Sequence, residues 1–129
     1  MVWTKSRVAV FAIGILHSGL MAGELFRWCR PFILGIVLDQ RQPIFADMSS
    51  KEYCFLTSVV HNAGVYNGIV AAGLFATLWA GPSALPVQVA LLSGGIVAGV
   101  FGAATLAPAT IVQAVLGAIA LFIVARYRD

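Results

Sequence analysis

Apolar and polar positions in this chain do not alternate; they fall into long blocks. Apolar runs occupy 8–26, 55–79, 85–104 and 109–125. The first would be roughly 28 Å long as a helix at about 1.5 Å per residue, close to a hydrocarbon core of about 30 Å. The last has about the minimum length for a span. The second and third are parted by Gly81-Pro82-Ser83, whose residue types favour a turn, and the third and fourth by 105–108. Pro86 falls in the first turn of the third run, where a helix tolerates it. The pattern predicts four helices. The last three, joined by short links, are antiparallel neighbours.

Only 27–54 is polar, with Asp39-Gln40-Arg41-Gln42-Pro43 and Asp47-Met48-Ser49-Ser50-Lys51-Glu52. Its short apolar piece, 31–38, cannot span a bilayer and would rest on the membrane surface or cap the helices. Ser49 or Ser50 is placed to cap the second helix, with Glu52 in its first turn. The expected fold is therefore an all-α membrane protein. It is an antiparallel four-helix transmembrane bundle, a single domain over 1–129, with one polar loop between helices one and two.

Composition agrees. The chain is 60% hydrophobic and 10% charged, whereas soluble domains carry about 25% charged residues. Its cations stand at the ends of apolar runs, as membrane flanks do, which argues against a nucleic-acid partner. Lys5 and Arg7 ahead of the first run resemble a signal peptide, but a run reaching Phe26 is long for one and reads as a retained helix. Trp3 and Trp28 flank that run as interfacial aromatics. Orientation is nearly undetermined by charge. The termini carry Lys5, Arg7, Arg126 and Arg128, and the loop carries Arg27, Arg30, Arg41 and Lys51. The acids Asp39, Asp47 and Glu52 in the loop tip the expectation toward cytoplasmic termini.

Chemistry concentrates in the first two helices. His17 and Glu24 are nearly two turns apart and share a face with Met21 and Trp28. An ionisable group inside a bilayer is costly unless it faces the bundle interior and finds a partner. Helix two carries His61-Asn62 and Tyr66-Asn67. Ser58, Asn62 and Tyr66, at four-residue spacing, form one face, with Asn67 pointing elsewhere. Depth counting from the loop end places His17 and Tyr66 at similar levels on facing helices. The expectation is a polar pocket open toward the loop. His17, Glu24 and His61 are its acid–base candidates, and Asn62, Tyr66, Asn67 and Trp28 its ligand contacts.

Against this stands a plainer reading, in which the same groups only tie helices together. His-Glu-His is an acceptable metal set, but no compact metal motif is present, so no metal is assigned. Cys29 and Cys54 flank the loop as a disulfide pair or as two separate thiols. Gln88, Ser93, Thr105, Thr110 and Gln113 are isolated and read as local hydrogen-bonding groups. Small residues four apart, Gly19 and Gly23, Gly64 and Gly68, Gly95 and Gly99, suit close helix packing within the bundle or in a homo-oligomer.

Three functions stay open. The first is an enzyme or binding protein for a small lipophilic molecule. The second is an oligomeric transporter or channel subunit. The third is a structural or accessory membrane protein. The cofactor is unknown, and nothing points to nucleotide, haem or flavin.

Leu16-His17 followed by Glu24-Leu25-Phe26-Arg27-Trp28 resembles the His and Glu-x-Phe-x-Trp run of the domain of unknown function 1304 family. His61-Asn62-Ala63-Gly64-Val65-Tyr66-Asn67-Gly68 resembles that family's Asn-Gln-Gly-x-Tyr-Asn-Gly signature, with Ala63 where the family usually has Gln. The resemblance covers helices one and two. It implies a small four-helix membrane protein and supplies no substrate.

Overall fold

The computed structural model describes residues 3–27, 49, 51–52, 57–106 and 108–127. Trp28, Cys29, Cys54, the 31–38 segment and the side chain of Ser58 lie outside that description. Among the described residues there are four α-helices: α1 (Lys5–Ala22), α2 (Thr57–Thr77), α3 (Leu85–Thr105) and α4 (Ile111–Arg126). Together with their flanking turns, all four are long and apolar enough to cross a membrane. The protein is a multi-pass membrane protein by this architecture.

Helix α1 starts earlier than the apolar run because Thr4 caps it, its hydroxyl accepting from the Arg7 N–H at 3.4 Å. At its other end it widens into a π-helical turn, Gly23–Arg27, which carries Glu24. Ahead of α2, the Ser49 hydroxyl accepts from the Glu52 N–H at 3.3 Å, while the Ser49 N–H donates back to the Glu52 carboxylate at 2.6 Å. This reciprocal capping box holds the Glu52 carboxyl below the usual carboxylate range. Helix α2 tightens to i→i+3 hydrogen bonds over its last turn. The chain then turns at Gly81, whose φ of 67° is left-handed and favours glycine.

Contacts fix the directions. Phe75 packs on Gly14, Met21 on Gly68 and Leu25 on Gly64, so numbers fall along α2 as they rise along α1. The same inverse order joins α2 to α3 (Gly73 with Leu91, Thr77 with Gln88) and α3 to α4 (Gly99 with Ala114, Gly102 with Thr110). Helix α4 returns beside α1, bringing Tyr127 to Lys5. The bundle is up-down-up-down, with both ends of the described chain on one side.

Its apolar core fills only the half nearer the termini. Val10, Ile13, Leu74, Leu78, Leu92, Ala120 and Val124 form it, all buried. The other half, toward Arg27 and Thr57, is where the polar groups gather.

Candidate functional site

His17 is ten residues from Arg27 and twelve from Lys5 along one continuous span. It therefore sits roughly 15–18 Å from either end at about 1.5 Å per residue, near the middle of the membrane. It is only 2% exposed. A polar ring at that depth needs partners, and α2 supplies one. His17 Nδ1 lies 2.7 Å from Asn67 Oδ1, and Asn67 Nδ2 donates to Glu24 Oε2 at 2.7 Å. Both contacts have the length of strong hydrogen bonds.

The chain of bonds fixes each group's role. The Asn67 amide turns its NH₂ toward Glu24. Its carbonyl oxygen then faces His17 and can only accept, so the proton sits on Nδ1. Nε2 lies toward α3. There a Cβ added to Gly95 would stand 3.1 Å from Nε2, so the ring lies against bare glycine backbone. No hydrogen-bond partner for Nε2 occurs among the described residues.

Helix α4 joins the same layer. Gln113 Nε2 donates to the Gly95 carbonyl at 2.9 Å. All four helices thus contribute to one polar level: Glu24 and His17 from α1, Asn67 from α2, Gly95 from α3 and Gln113 from α4. Glu24 and Asn67 are half-buried, so the line of groups runs from a partly open end at the loop side to a fully enclosed imidazole.

This corrects the expected face of α2. Asn67, expected to point away, is the residue that bridges His17 and Glu24, while Asn62 and Tyr66 point outward, Tyr66 being 61% exposed. The reason lies in the glycines. Gly64 and Gly68 are the positions where α2 meets Glu24, Leu25 and Met21. At 100° per residue Asn67 falls beside them, whereas Asn62 and Tyr66 are each two residues from Gly64 and lie about 160° round the helix. His61 is half-buried at the loop end, with no hydrogen bond among those resolved for His17 and Glu24. Glycine spacing was the signal that could have placed Asn67. For Gln113 no sequence signal existed, since its partner is a backbone carbonyl.

A cleft of about 180 Å³ lies at the opposite end of the bundle, among Ser6, Arg7, Thr77, Gln88 and Tyr127. Among the described residues no group of three His, Cys, Asp or Glu is placed to hold a metal ion.

Fold and site together define a class: a multi-pass helical membrane protein with a hydrogen-bonded polar layer in the loop-side half of its bundle. The chain belongs to the family described as Protein of unknown function (DUF1304), whose model matches residues 11–125 and so reaches into all four helices. No curated protein and no solved structure matches it.

Proposed function

We propose that the Glu24–Asn67–His17 line is a membrane-embedded site that binds, and by acid–base chemistry converts, a small lipophilic molecule with a protic group. One observation carries the reading: His17 is only 2% exposed, its Nδ1 lies 2.7 Å from Asn67 Oδ1, and that same amide donates to Glu24 Oε2 at 2.7 Å. A base oriented by a second group that a third one fixes is the arrangement general-base sites use. His17 would accept the ligand's proton at Nε2. Asn67 and Glu24 act through it as positioning residues. His61, half-buried at the Thr57 end of α2, would stand at the entrance. The termini would face the cytoplasm.

A structural role is the second reading. It is favoured by the mutual satisfaction of Glu24, Asn67 and Nδ1. The channel reading is the least supported, because Ile13, Leu74, Leu92 and Ala120 belong to a buried apolar cluster beyond His17.

Mass spectrometry of small molecules retained by protein purified from native membranes separates the first two. The site reading expects a lipophilic compound retained by the wild type and lost from His17→Gln, with the melting temperature little changed. Equal contents in both proteins, with a large fall in melting temperature for His17→Gln, would leave only the structural role.

A further inference from the structure

The cleft at the termini end has a different chemistry from the polar layer. It lies where the start of α1, the α2–α3 turn and the end of α4 meet, so it sits at the membrane–water boundary. Its wall holds the hydroxyl of Ser6, the Arg7 side chain and the Thr77–Gln88 pair, in which Gln88 Nε2 donates to Thr77 Oγ1 at 3.2 Å. Thr77 is 6% exposed and Ser6 9%, so these polar groups are built into the bundle rather than scattered over its surface.

The rim is cationic. Tyr127 closes the cleft on the α4 side and gathers two further cations on its ring. Lys5 Nζ lies 4.6 Å and Arg126 Cζ 5.9 Å from the ring centroid, both within cation–π range. No acidic residue occurs at this end among the described residues. At about 180 Å³ the cleft is below the roughly 300–1,000 Å³ of sites that enclose drug-sized ligands. It suits a compact anion. Immediately outside it the helix surfaces are apolar, with Val87 and Val8 each about half exposed.

We propose that this cleft binds a phosphate group, with Arg7, Lys5 and Arg126 supplying the charge and Ser6 and Gln88 the hydrogen bonds. The group belongs either to the headgroup of an anionic membrane lipid, whose acyl chains would lie along the apolar flanks, or to a free phosphate ion. Basic clefts between membrane helices at the boundary recognise lipid headgroups in this way. The site is independent of the His17 layer, from which the apolar core separates it.

The full-length protein would be placed in nanodiscs of phosphatidylcholine alone and with increasing phosphatidylglycerol. Bound lipid is counted by native mass spectrometry after release, with and without inorganic phosphate. The wild type should retain phosphatidylglycerol in preference to phosphatidylcholine. Arg7→Gln should weaken that preference about fivefold, the value of one interfacial cation, and Arg27→Gln at the other end should leave it unchanged. If Arg7→Gln does not fold, the exposed pair Lys5→Gln with Arg126→Gln serves instead and should lose at least as much. Displacement of lipid by millimolar phosphate would identify the free ion as the occupant, and indifference to it the headgroup. Equal retention of the two lipids by the wild type together with no binding of phosphate, or an Arg7→Gln protein that binds both as the wild type does, would overturn the proposal.

Discussion

At the scale of single residues, the polar layer turns on Asn67, which hydrogen-bonds to both ionisable groups. Replacing it by Ala strands the His17 N–H and removes a donor from Glu24. A buried group left unsatisfied costs about 1–3 kcal/mol. Asn67→Ala should lower stability by that amount in detergent melts. Asn62→Ala should shift it by less than about 0.5 kcal/mol, as exposed substitutions do. Equal losses at the two positions would put the expected face of α2 back in contact with α1. Residue by residue, the sequence made His17 and Glu24 visible, because ionisable groups in an apolar run are conspicuous. It did not make their partner visible. Asn62, Tyr66 and Asn67 are all polar and close in sequence, and only the rotation of α2 decides which one turns inward.

That rotation is set at the scale of elements, by glycine. A Cβ on Gly99 would stand 2.6 Å from the backbone nitrogen of Ala114, and backbone cannot step aside. Gly99→Ala should therefore force α3 and α4 apart at a cost of about 1–3 kcal/mol, as overpacking does. Gly19 has nothing within 4 Å of its added Cβ. Gly19→Ala should be neutral or gain up to about 1 kcal/mol from helix propensity. Thermal melts of the two variants check this; a Gly99→Ala protein as stable as Gly19→Ala would show that α3 and α4 do not pack this closely. The helices themselves were legible to within a few residues, since their length and apolar character follow from the bilayer alone. Their azimuths were not. The glycine pairs were noted as packing stripes, yet knowing that Gly64 and Gly68 pack does not say against what. That information came from Met21, on the stripe of His17 and Glu24, and from Leu25, which no local pattern singles out.

At the scale of the whole molecule, the bundle is divided across the membrane: a polar layer toward the loop, an apolar core toward the termini, and a cationic cleft at the boundary beyond it. The up-down-up-down order puts the α2–α3 turn on the side of the termini. A maleimide that does not cross membranes should label Ser83→Cys from one side and the loop cysteines, Cys29 and Cys54, from the other. Labelling of both from the same side would break the topology. This division was half legible in the sequence, because the first two helices hold nearly all its conspicuous polar groups, but Gln113 and Gly95 enter the layer only through the fold. The central claim is that three helices enclose His17 in mid-membrane and fix its ring through Asn67. Nitrogen-15 NMR of histidine-labelled protein in bilayers tests it most directly, with His17→Gln used to assign the signal. The account predicts a neutral His17 ring with the proton on Nδ1 and a bare Nε2, losing that single tautomer in Asn67→Ala. A wild-type ring carrying its proton on Nε2, or exchanging freely between both nitrogens, would contradict it.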